Sequence, residues 1–204
     1  MSTSEAPAPA GPVRQAVGMA AGVVGSVTVI AFGLYLLHLG VSQNIAGWGT
    51  IAALDGLIFF ETLRAKRMAS TSEEGPDTAS IWLTGGYTVG ASLVTLVSLY
   101  NGRWEWGLIE TIETVGVVGI LLLRTRLHPR GAIIAGVVVM TLGTIPLAHD
   151  YWLNPFFPSW WMWGTGALCD FAALFAARRW SVEDSLFAGV GGILCVIMTI
   201  LALR

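Results

Sequence analysis

Trp48-Gly49-Thr50-Ile51-Ala52-Ala53-Leu54-Asp55 returns in outline twice more along the chain. The second copy runs from Trp106-Gly107 to Glu113 and the third from Trp163-Gly164 to Asp170. The offsets are 58 and 57 residues, so the sequence carries a threefold internal repeat. Seven residues fall about 20° short of two helical turns, so on a helix each Trp and its acid share a face about 10 Å apart. A Trp-Gly pair suits the lipid–water boundary, and the acid then lies two turns into the hydrocarbon. Ionisable groups at that depth are expensive and are usually functional.

Outward from these stretches the chain is apolar. Hydrophobic residues make up 54% and charged residues 12%, with a mean hydropathy of +0.69. Such values exclude a soluble globular domain and indicate a polytopic membrane protein. No Lys/Arg patch is interleaved with aromatics, so nucleic acid is not an expected partner. Apolar runs predict seven spans, at 16–39, 45–63, 79–100, 104–123, 131–148, 159–177 and 185–203. Each is near the roughly 20 residues that a helix needs to cross the hydrocarbon. A helix satisfies its own backbone in lipid, so helices are expected throughout.

Charge placement orients the spans. Arg14, Arg64, Lys66, Arg67, Arg124, Arg126, Arg130, Arg178 and Arg179 fall on one side, against Arg103 and Arg204 on the other. Nine against two places the N-terminus in the cytoplasm under the positive-inside rule. The expected fold is an all-α cell-membrane protein of seven transmembrane helices, three repeated helix pairs plus a final helix. The repeats cover about 16–67, 79–126 and 131–179, with the last helix at 185–203. Residues 1–15 read as a disordered tail before a single domain, 16–204, since Met1 to Pro12 is rich in Ala, Pro and Ser and lacks a basic leader. The segment from Met68 to Thr78, with Glu73, Glu74 and Asp77, reads as a solvated cytoplasmic connection. Ser181-x-x-Asp184 reads as an N-cap, and Pro146 as a kink in the fifth helix.

Asp55, Glu113 and Asp170 are the leading chemical candidates. In an apolar site burial penalises the charged form of a carboxyl group, so each acid can sit there neutral. A neutral acid in a dry pocket donates a proton to a weak base, or holds a proton or cation in a carrier. Equally, the three acids can serve as hydrogen-bonded glue between helices. Glu110 lies one turn outward of Glu113 on the same face, and Glu61 lies two turns below Asp55, within one turn of Arg64. Trp48, Trp106, Trp163, Phe60 and Tyr87 are the candidate substrate-facing aromatics. Seven of the nine Trp residues fall on the outer side, where they form an aromatic belt or line an outward-leaning cavity. His38, His149 and His128 fall at helix ends or in a turn and read as solvated. Cys169 and Cys195 read as packing residues. No metal and no cofactor are expected: no Asp-Asp-x-x-Asp run, phosphate loop, Gly-x-Ser-x-Gly or His-Glu-x-x-His occurs, and the last span has no Lys.

Three resemblances bear on function. The paired, glycine-rich spans resemble the acid-resistance HdeD-type membrane proteins in period. Apolar helices with a terminal Arg-Arg-Trp-x-x-Glu turn resemble PQ-loop-type and nicotinamide-riboside-type carriers, although the Pro-Gln pair is missing. Trp48 leading to Asp55, Trp106 leading to Glu113, and Trp152-Leu153-Asn154 followed by Trp160, Trp163 and Asp170 resemble the integral membrane terpene cyclases of the paxilline and meroterpenoid type. That last family implies acids on separate helices protonating an epoxide or olefin. Its Asn-x-x-Trp-Glu element is replaced here by Leu57-x-x-Phe60-Glu61. The cyclase is the first expectation because it uses the Trp spacing, with Trp faces stabilising a carbocation. Its partners would be the bilayer and an isoprenoid-like molecule, with an oligomer open. A proton- or cation-coupled carrier and a structural or stress protein are the alternatives.

Overall fold

A computed structural model describes residues 11–68, 78–101, 107–123, 126–177 and 182–204; the side chains of 78–80, 109, 113, 157 and 183 lie outside that description. Seven α-helices follow one another: α1 (Pro12–Leu39), α2 (Ile45–Met68), α3 (Thr78–Tyr100), α4 (Leu108–Leu123), α5 (Pro129–Leu153), α6 (Trp160–Ala176) and α7 (Phe187–Leu203). A 3-10 turn, Phe157–Ser159, leads into α6, and a π turn, Val182–Leu186, leads into α7. No strand occurs among the described residues. Apolar runs therefore located every helix to within a few residues. Five spans, on α1, α2, α3, α5 and α7, are long and apolar enough to cross a membrane. α4 and α6 have only 16 and 17 residues.

Local chemistry sets the ends. Pro12 and Pro129 open α1 and α5, where a missing N–H costs nothing. Gly40 closes α1 at φ 64°, and the N–H groups of Gly40 and Val41 return to Leu37 and Leu36. That left-handed closure suits a residue without Cβ. Pro146 is buried inside α5, which continues to Leu153. Ser181 and the connection 69–77 lie outside the described residues.

Packing follows the small residues. α1 buries Gly18, Ala21, Gly22, Gly25, Thr28, Val29, Phe32, Gly33 and Leu36, a helical stripe. Its main neighbour is α3, not α2. At that interface a Cβ on Gly86 would overlap Ser26, and one on Gly90 would come within 2.6 Å of Val29. Close backbone approach through small residues is what lets helices associate where lipid removes the hydrophobic drive. Outward positions such as Val27, Leu34, Val89, Leu96, Val138, Ile193 and Ile200 are exposed and apolar, as a lipid-facing surface requires.

The neighbours close a ring. α1 packs on α3, α3 on α2, α2 on α5, α5 on α7, α7 on α6, and α6 on α1. α4 stands outside, against α5 and α2. The helix pairs marked out by the sequence repeat are not the units that pack: α1, α3 and α5 find their main partners elsewhere than on α2, α4 and α6 respectively. A short connection brings two helix ends together, but the complementary faces decide which helices dock.

Candidate functional site

Asp55 on α2 and Asp170 on α6 reach the same chamber, of about 80 Å³, inside the ring. Every ring helix lines it: Val29 from α1, Trp48 and Asp55 from α2, Tyr87 from α3, Thr144 from α5, Trp163 and Asp170 from α6, and Gly191 and Cys195 from α7. Among the described residues α4 contributes none of the lining. The two acids are 2% and 0% exposed. The repeat therefore delivers its first and third acids to one place. Glu113 sits on α4, and its side chain lies outside the description, as does the whole of Trp106.

The acids are held differently. Asp170 accepts from the Tyr87 hydroxyl at 3.2 Å on Oδ1 and from the Cys195 thiol at 3.7 Å on Oδ2. Gly191 makes room for this, since a Cβ there would lie 2.9 Å from Asp170 Oδ2. Asp55 Oδ1 and Trp48 Nε1 are buried and have no hydrogen-bond partner among the described residues. A buried acceptor left unmade costs about 1–3 kcal/mol and calls for an explanation.

Aromatic side chains separate the chamber from the end of the bundle where α1 ends and α2 begins. Trp48 and Trp163 stack at 5.5 Å and 28°, and both line the chamber. Trp163 Nε1 donates to the Tyr151 hydroxyl at 3.3 Å, and Tyr151 meets Gln43 at 3.4 Å. Phe32 packs on Trp48, and Trp161 packs on Phe32 and Tyr35. Beyond lies a second pocket of about 320 Å³, lined by Gln43, Asn44, Asp150, Tyr151 and Asn154 among others. Trp48 and Trp163 thus fill the interior, while Trp152 and Trp160 are exposed.

Other candidates lie elsewhere. Glu61 is buried, but bonds Arg64 at 3.2 Å, and Arg64 also reaches the Leu127 carbonyl. Glu110 accepts from the Gly107 N–H at 2.9 Å, capping the start of α4, and from Asn44 at 3.4 Å. Phe60 is 58% exposed and outside the chamber. His38, His128 and His149 are exposed. Among the described residues no three His, Cys, Asp or Glu side chains group as a metal site. Sequence reading missed Cys195, Thr144 and Tyr151, because ordinary packing types at unmarked spacings gain a role only from what the ring sets beside them.

The aromatic layer makes a prediction. Removing the indole in Trp163→Ala should join the chamber to the second pocket. In a Cys169→Ser background, Cys195 should then react with a membrane-impermeant thiol reagent added outside, at least ~10-fold faster than with Trp163 in place. Mass spectrometry of intact protein reads the adduct, and equal rates would show that the indole is no barrier. No known protein family, curated protein or solved structure matches this chain.

Proposed function

We propose that the protein is a seven-span carrier of the cell membrane, N-terminus cytoplasmic, coupling a small solute to protons through Asp55 and Asp170. One observation carries this reading: two buried acids, from helices in two like-ordered triplets, line one chamber where the triplets meet. Trp48 to Asp55 on α2 and Trp163 to Asp170 on α6 are separated by the same 115 residues. The order α1–α3–α2 matches α5–α7–α6, and the crossed contacts α1–α6 and α2–α5 exchange under the same relation. That is the pattern of a parallel repeat about an axis along the membrane normal, with α4 as the linker between halves. Carriers are commonly built so, with the coupling site at the repeat interface. The α4 and α6 helices, about 24 and 26 Å long, cross the roughly 30 Å hydrocarbon with help from their flanking turns.

Size is our reason for ranking the cyclase second. Sites for drug-sized ligands run from about 300 Å³ upward. The chamber is about 80 Å³, too small for a polyprenyl chain. The stacked indoles still suit a cation, but a small one. The test is flux. Proteoliposomes carrying a pH dye should show proton movement driven by some members of a panel of compact solutes, such as small amines, amides and alcohols. Membranes that instead convert an epoxidised polyprenyl substrate without magnesium, with no coupled flux from any solute, would reverse the choice.

A further inference from the structure

We infer that the cargo of the chamber is a compact nitrogen cation, of guanidinium or small alkylammonium type, seated between Asp55 and the Trp48–Trp163 faces. This rests on the carrier reading and adds the substrate class. The lining is rich in acceptors. Asp55 Oδ1 is unpartnered. Thr144 donates its hydroxyl to the Met140 carbonyl, and Tyr87 donates to Asp170, so each keeps oxygen lone pairs free. Among the described residues no Lys, Arg or His lines the chamber. Two carboxyl groups without a cation, beside stacked π-faces, select positive charge carrying N–H donors.

Volume narrows the class. A cavity of about 150 Å³ holds benzene, and this one has about half that space. A planar guanidinium can lie along an indole and present two N–H groups to one carboxylate. Trp48 Nε1, the donor still unpartnered, is satisfied by a water that enters with the cation. Asp170 already accepts on both oxygens, so Asp55 is the acid that takes the cargo. Among the described residues the other titratable groups facing the chamber are Asp170 from α6, Tyr87 from α3 and Cys195 from α7; α1 and α5 offer none.

The exchange balances. As the cation seats, the Asp55 carboxyl releases its proton to the outer medium. When the cation leaves on the inner side, a proton from that side returns to Asp55. One positive charge moves each way, so no net current flows.

The experiment uses the full chain in sealed proteoliposomes, with guanidinium as the probe because its permanent charge prevents passive leakage. External guanidinium should make the interior alkaline, and clamping the membrane potential should not change the rate. Asp55→Asn should reduce this at least ~10-fold, and so should Trp163→Leu, the loss expected for a buried cation–π contact. If Asp55→Asn is not monodisperse, Asp55→Glu keeps the acid while its extra methylene takes up chamber space. It should weaken guanidinium competition at least ~5-fold. Proton flux driven by other solutes, with guanidinium neither driving nor competing, overturns the cation assignment and leaves the carrier. Absence of coupled flux from every solute overturns both.

Discussion

Asp170→Asn should abolish coupled proton flux, by about two orders of magnitude, while the protein still inserts and purifies. The amide keeps the size of the acid but not its chemistry. Asp170 accepts from Tyr87 on one oxygen and from Cys195 on the other. An amide offers one acceptor, so one neighbouring donor meets an N–H instead of an oxygen. Leaving a buried donor without its acceptor costs roughly 1–3 kcal/mol, and about 2.8 kcal/mol is a hundredfold in rate or affinity. Proteoliposome flux and thermal unfolding in detergent, measured on the same preparation, separate function from glue. A variant that unfolds more easily yet carries protons at the parent rate would make Asp170 structural.

Gly86→Val should be the most destabilising single change at a helix–helix contact. A Cβ at this position already overlaps Ser26 on α1, and the obstacle includes the Ser26 backbone at 3.2 Å. Overpacking typically costs about 1–3 kcal/mol, and a branched side chain against backbone belongs at or above the upper end. The unfolding temperature in detergent should fall by several degrees. Gly86→Ala combined with Ser26→Gly should recover most of the loss, since the second change empties the space the first one fills. No recovery would mean that α1 and α3 are held apart by something other than this pair. Because α1–α3 is one wall of the ring, its separation should also weaken the chamber: flux should fall with stability in Gly86→Val and return with it in the double variant.

The sequence by itself determined the helices. Long apolar runs broken by Pro, Gly and charge can only satisfy their backbones in lipid as helices, and that argument needs no neighbours. It also singled out Asp55 and Asp170, because an ionisable side chain inside such a run stands out wherever the run ends up. Their Trp partners were legible for the same reason: a seven-residue spacing on one helix is local geometry.

Which helices meet was decided by tertiary structure. The repeat of 57 and 58 residues marks out three helix pairs in the chain, whereas packing follows the faces where small residues let backbones approach, and these join α1 to α3. Side-chain shape across an interface leaves almost no trace in one sequence, because Gly86 is informative only opposite Ser26. The same holds for the chamber. Tyr87 and Cys195 lie 83 and 25 residues from Asp170 in the chain, yet share its two oxygens. Asp55, marked by the same motif, is left with an open acceptor. A motif fixes where an acid stands on its helix; only the closed ring fixes what stands opposite it.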